Sequence, residues 1–148
     1  MSTLSSEELK KNLLSKDPGT LIITPILDWD AQVGQIGVDV RLSNQFIVFR
    51  RQNLEGAIEG RSSWARIGLV NATAVTIDPG FKGVITLELA NLSNVPISLY
   101  PGSRIGQLIC RETSSTTAYD TERKYTCPIG PEYSRLSGDP DLEILAHI

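Results

Sequence analysis

The chain has 148 residues, with 14 lysines and arginines against 17 aspartates and glutamates, for a net charge of −3. One domain of this length buries a sizeable core, and a slightly acidic balance lacks the basic face that duplex nucleic acid needs. Two cysteines, Cys110 and Cys127, are too few for a disulfide framework and suggest a reducing compartment; with no secretory leader pattern and no apolar run that could cross a bilayer, the expected place is the cytoplasm.

Ser5 and Glu8 form a capping box, with Leu4 and Leu9 placed to close a hydrophobic staple around it. The spacing of Leu9, Leu13 and Leu14 predicts a short helix with one apolar stripe, ended by Asp17-Pro18-Gly19. Thr20 to Ile26 reads as a strand rich in β-branched residues, and Pro25 assigns it to a sheet edge or a strand end. Ile36 to Phe49 reads as one or two strands broken by Ser43-Asn44, with Asp39 and Arg41 on one face as a surface ion pair. Arg50 to Gly60 reads as a short polar linker.

Further strands are expected over Leu69–Ile77, over the run through Glu88, over Val95–Tyr100 and over Ile105–Cys110. Asp78-Pro79-Gly80 and Pro101-Gly102 supply turns between them. Many short strands with Gly and Pro turns predict an all-β barrel or sandwich. After Arg111 the chain is polar and turn-rich to about residue 140, without apolar period, so it is either unstructured or ordered by docking. The last eight residues, from Asp141, fit a short helix or a strand equally well.

The chemistry is bounded by what is missing. His147 is the single histidine, and the two cysteines are far apart, so no zinc ligand set, no zinc-deaminase signature and no supported Ser-His-Asp triad is present. P-loop and Rossmann glycine patterns are absent as well. In the run Val84-Ile85-Thr86-Leu87-Glu88-Leu89-Ala90, strand alternation sets Glu88 with Val84, Thr86 and Ala90, off the more apolar face. A carboxylate there is a candidate general acid/base, with Ser62 and Arg66 as orienting groups and Arg61, Ser62 and Ser63 as donors suited to phosphate oxygens. The competing reading is a half-buried structural ion pair between Glu88 and Arg66.

Several ordered motifs together resemble the dCTP deaminases, relatives of the dUTPases. They are Arg61-Ser62-Ser63-Trp64-Ala65-Arg66, Ile77-Asp78-Pro79-Gly80-Phe81-Lys82-Gly83, Thr86-Leu87-Glu88-Leu89 and Pro101-Gly102-Ser103-Arg104-Ile105-Gly106-Gln107. Val38-Asp39-Val40-Arg41-Leu42 with Phe46, and Lys124-Tyr125 followed by Gly130-Pro131 and Ser134-Arg135, extend the likeness over most of the chain.

The resemblance implies one domain over residues 1–148, a distorted β-barrel or jelly-roll of the dUTPase-like type with a short N-terminal helix, and residues 112–148 as a closing segment. It implies a homotrimer with active sites between subunits, hydrolysing dCTP to dUTP and ammonia without protein-held zinc, Mg2+ arriving with the triphosphate. Glu88 falls on the catalytic glutamate, with Ser62 and Arg66 as its partners. Arg61, Ser63, Trp64, Ala65, Asp78, Thr86, Leu87, Gln107, Tyr119 and Lys124 fall in nucleotide-binding positions, Asp78 near the deoxyribose and Lys124 at the phosphates. The segment between Phe49 and Arg61 is shorter than the family's, which bears on barrel closure. Two alternatives stand beside deamination to dUTP. One is phosphate-bond hydrolysis, either combined with deamination to give dUMP and pyrophosphate or alone as in a dUTPase, with Asp78 activating water. The other is a non-catalytic trimeric nucleotide-binding protein.

Overall fold

The computed structural model describes residues 2–16, 21–43, 45–49, 53–72, 76–114, 124–139 and 141–142. Strands dominate, as expected. In chain order they are β1 (Ser2–Thr3), β2 (Leu21–Thr24), β3 (Val38–Arg41), β4 (Phe46–Phe49), β5 (Leu54–Gly60), β6 (Leu69–Asn71), β7 (Thr76–Ile77), β8 (Lys82–Val84), β9 (Leu89–Asn91) and β10 (Arg104–Glu112). Among the described residues three α-helices join them, α1 (Ser6–Leu14), α2 (Trp29–Gln32) and α3 (Ser62–Ala65), and a 3-10 turn follows at Leu136–Gly138.

The capping box on α1 forms in both directions. The Ser5 amide donates to Glu8 Oε2 at 2.8 Å, and the Glu8 amide donates to Ser5 Oγ at 3.4 Å. The Ser5 amide bond first, and then the Ser5 hydroxyl donating to the same Glu8 Oε2 at 2.8 Å, hold the Glu8 carboxyl below its usual range. Leu4 and Leu9 are buried as the staple requires, and Leu9 is fully enclosed, worth about 1.5–3 kcal/mol. Leu13 packs at the margin of the core, but Leu14 is 66% exposed, so the apolar stripe is narrower than its spacing suggests. The helix stops at Leu14, with Ser15 already extended; the Asp17-Pro18-Gly19 breaker lies outside the described residues.

β10 is the axis of the main sheet. It pairs antiparallel with β5 along one side and with β3 and β1 along the other, and β7 adds to the far edge of β5. A second sheet runs β2-β4-β8, and β6 pairs with β9 as a separate two-stranded ribbon. The three sheets do not join into a closed barrel among the described residues. β2 takes the edge of its sheet and ends at Thr24, just before Pro25, as the proline predicts. The core lies between the two larger sheets and α1, centred on Leu9, Leu21, Val38, Phe49, Leu54, Leu108 and Cys110. Burial pushes the Cys110 thiol up to about 12, so it behaves as a small hydrophobe.

Four expectations change. The Arg50–Gly60 linker contains β5, a seven-residue strand inside the main sheet whose Leu54, Gly56 and Ile58 point inward. Gly56 is required there: a Cβ would stand 2.6 Å from Phe49 Cζ and 2.9 Å from Leu108 Cδ1. The Leu69–Ile77 strand divides, β6 joining β9 and β7 joining β5. The run through Glu88 is two strands, because residues 85–88 leave the ladder between β8 and β9. The Val95–Tyr100 segment is no strand: its β-branched residues find no ladder partner among the described residues, and Val95 and Tyr100 are each 67% exposed.

Candidate active site

A cavity of about 610 Å³ opens on the face formed by β7, β8 and residues 85–88, a size that suits a small organic ligand. Its floor comes from Thr76, Ile77 and Asp78 on one side and Val84, Ile85, Thr86 and Glu88 on the other. The turn after β7 sets Asp78 at the rim, with Gly80 at φ 86° and the Phe81 amide donating to the Asp78 carbonyl at 3.1 Å. Residues 85–88 leave the ladder: Ile85 and Leu87 pack against the core, and Ile85, Thr86 and Glu88 border the cavity. The Ala72 amide fixes the backbone there by donating to the Glu88 carbonyl at 2.7 Å.

The polar tail supplies the opposite wall through Lys124, Tyr125, Pro128, Glu132 and Ser134. It is docked on its own chain by backbone contacts. The Val84 amide donates to the Pro128 carbonyl at 2.8 Å, and the Glu132 amide to Thr86 Oγ1 at 2.9 Å. Pro128 is buried against Gly83, whose φ of 141° only glycine adopts readily. Within the tail, Arg135 donates to the Lys124 carbonyl at 2.6 Å, pairs with Glu132 at 2.9 Å and lies 5.6 Å from the Tyr125 ring centre. Lys124 is clasped to Asp139, and that hydrogen bond, more than the backbone bond from Asp141, holds the Asp139 carboxyl below its usual range.

Asp78, Thr86, Glu88 and Lys124 thus meet in one cavity. Leu87 does not line it, but lines a smaller neighbouring cavity that shares Val84, Ile85 and Thr86 with it. Arg61, Ser62, Ser63, Trp64, Ala65 and Arg66 do not line the cavity; they sit on and beside α3. The path from α3 to Glu88 runs along the β6–β9 ribbon, with Leu69 opposite Asn91 at the α3 end and Asn71 opposite Leu89 at the Glu88 end. Leu69 to Asn71 is two strand steps, about 7 Å, and neither Ser62 nor Arg66 borders the cavity that Glu88 lines. Ser62, Ser63, Arg66 and Glu88 are all exposed, and the half-buried Glu88–Arg66 pair does not form among the described residues.

Gln107, midway along β10, is half-buried under the turn before β3; a Cβ on Gly37 would stand 2.7 Å from its Cγ. Tyr119 and His147 lie outside the described residues. Among the described residues no cluster of three or more His, Cys, Asp or Glu is arranged to hold a metal ion, and no helix is long and apolar enough to cross a membrane.

Asp39 departs most from its sequence reading. It makes no surface pair with Arg41. It is nearly buried and accepts from Arg61 Nη1 at 2.5 Å and from Arg104 Nη1 at 3.2 Å through the same Oδ2. Arg41 turns instead to Gln32 Oε1 at 3.0 Å and to the Gly102 carbonyl at 2.8 Å. Alternation alone places Asp39 and Arg41 on one face, but Arg61 and Arg104 come from elements distant in sequence and are better placed to satisfy a carboxylate leaving water.

Residues 51–113 match the family model described as dCTP deaminase-like. A dCTP deaminase of Halorubrum lacusprofundi is 34% identical, the match covering 84% of this chain and 87% of that protein. The chain belongs to the dCTP deaminase family. A dCTP deaminase of Natronomonas pharaonis is 33% identical over 94% of this chain and 97% of that protein. A relative in Halobacterium salinarum named dCTP deaminase, dUMP-forming, is 35% identical over 84% of this chain and 91% of its own length. The first two matches run over 177 and 192 aligned positions, more than the 148 residues here, so these family members carry inserted segments that this chain lacks.

Proposed function

We propose that the chain is a dCTP deaminase that converts dCTP and water to dUTP and ammonia. The observation that carries the reading is the cavity itself: in a member of this family, it gathers Glu88, Asp78 and Thr86 on one wall and Lys124 on the other. Glu88 takes a proton from water as the oxygen attacks C4 of the cytosine, and delivers it to the base so that ammonia departs from the tetrahedral centre. One carboxylate handles both transfers, so the protein need hold no zinc. Asp78 faces the deoxyribose and Lys124 the phosphates, its ammonium exchanging Asp139 for a phosphate oxygen. Mg2+ enters as the companion of the triphosphate.

Ser62 and Arg66 orient the water and the carboxylate, while Arg61 and Ser63 contact the nucleotide. That none of these four residues borders the Glu88 cavity of its own chain supports supplying them from a neighbouring subunit of a homotrimer. The site of action is the cytoplasm. Purified chain incubated with Mg2+ and dCTP should release ammonia with dUTP as product and should migrate as three chain masses. Absence of ammonia release refutes deamination, and an active monomer refutes the shared site.

The names of relatives such as the Halobacterium salinarum protein favour a second reading, deamination followed by release of dUMP and pyrophosphate. Measuring pyrophosphate beside ammonia separates the two.

A further inference from the structure

α3 is four residues long, too short to hold a helix by its own hydrogen bonds, and its N-cap Arg61 makes no side-chain capping bond. Its position must come from outside. Three contacts provide it, and they converge on β3 and β10. The Arg61 guanidinium reaches Asp39 Oδ2 at 2.5 Å. The Trp64 indole N–H donates to the Arg104 carbonyl at 2.8 Å. The Arg61 amide donates to the Ile105 carbonyl at 3.4 Å. Asp39 is central to this set, because the same oxygen accepts from Arg104 at 3.2 Å, and Arg104 also donates to the Ala31 carbonyl of α2. From behind, the fully buried Gln32 donates to the Asp39 carbonyl at 3.2 Å. A carboxylate only 12% exposed and shared by two guanidinium groups ties the α3 base to the start of β10.

We infer that Asp39 is a positioning residue for the reaction: through Arg61 and Arg104 it sets the place of α3 and hence of Ser62 and Arg66. This rests on the deaminase reading above. Asp39 borders no part of the Glu88 cavity, so its effect passes through α3. Misplacing an orienting group by about 1 Å costs up to about a hundredfold in rate.

The test uses the full chain carrying W29F, which leaves Trp64 as the single tryptophan and reporter of α3. In this background, D39N should keep the far-ultraviolet dichroism and oligomeric state of the parent. Its Trp64 emission should shift and become more open to acrylamide. kcat for ammonia release should fall about ten- to a hundredfold, with KM for dCTP moving less, and D39E should restore part of the loss. A role in stability alone would lower Tm and leave both Trp64 and kcat at 25 °C unchanged, which overturns the inference. Should D39N fail to fold, R104Q carries the test: it keeps the Asp39–Arg61 pair and the Trp64 contact to the residue-104 carbonyl. A smaller shift in the same direction supports the inference, and no shift in emission or kcat overturns it. If the W29F parent itself releases no ammonia, the deaminase reading fails, while the Trp64 response to D39N still decides whether Asp39 places α3.

Discussion

Replacing Gly83 by alanine should undock the tail. At Gly83 a Cβ would stand 2.6 Å from Pro128 Cδ, 2.7 Å from the Pro128 carbonyl oxygen and 2.9 Å from its nitrogen. Two of these are backbone atoms, which cannot swing aside, so the tail must retreat by about 1 Å to reach ordinary contact distances. That retreat breaks the 2.8 Å bond from the Val84 amide to the Pro128 carbonyl and strains the one from the Glu132 amide to Thr86. At about 1 kcal/mol for each hydrogen bond, the docked state loses about 2 kcal/mol, or roughly 30-fold in its equilibrium. The positive φ adds strain of its own, for which Gly102→Ala gives a lower bound: it has φ 85°, nearer the left-handed region than the 141° of Gly83, and nothing within 4 Å of its Cβ position. Hydrogen exchange at the Val84 and Glu132 amides and limited proteolysis after Lys124 read the docking directly. G83A should lose protection at both amides, gain cleavage in the tail and raise KM for dCTP well beyond any effect of G102A. Retained protection with unchanged KM would refute the account of how the tail closes the cavity.

Glu88→Gln keeps shape and removes the base, so ammonia release should disappear while dCTP binding, measured by calorimetry, changes little; near-normal turnover would sink the proton-relay assignment. Gly56→Ala should destabilise the fold by about 1–3 kcal/mol, because Phe49 and Leu108 are both fully enclosed; F49L in the same chain should recover part of that in urea titrations at one protein concentration. The Lys124–Asp139 clasp should depend on acid pH in one direction. Because the folded Asp139 carboxyl lies below its ordinary value of 3.8, its contribution is complete above that pH and is lost as pH falls through the lowered folded value. A carboxyl carbon titration by NMR with a midpoint at or above 3.8 counts against the clasp, and D139N should remove the transition. Ser5→Ala should cost about 1 kcal/mol through loss of the cap on α1, read as a fall in Tm.

Local signals in this sequence carried local structure. Ser5 and Glu8 interact across three residues, and their capping box forms as spelled. Ile105 to Cys110 is a dense apolar run and becomes the body of β10. β5 was hidden because its interior position 56 is a glycine and its outward positions include Glu55 and Glu59, which together look like loop. The reason for the glycine is tertiary: Phe49, Ile77 and Leu108 crowd it from three other strands. Asp39 tells the same story for the site, since its partners lie 22 and 65 residues away. The cavity residues Asp78, Thr86, Glu88 and Lys124 are legible as motifs with a role, Tyr125 and Ser134 stand in the tail motif without one, Glu132 stands in none, and the tail contact through Pro128 and Gly83 is visible only in the folded chain.

β10 also decides when the protein can fold. Ser2 stands opposite Glu112, Val38 opposite Leu108, and Leu54 opposite Glu112 on the other side. Three strands made early in synthesis therefore wait for one made late, and until it arrives the inward residues Val38, Val40, Leu54 and Ile58 have no sheet to complete. Closing such long loops before any pairing is gained makes for slow folding, and the waiting edges are open to pairing with other chains. A nascent chain stalled before residue 104 is thus expected to be the aggregation-prone species, and chaperone demand should fall sharply once residue 112 has cleared the ribosome.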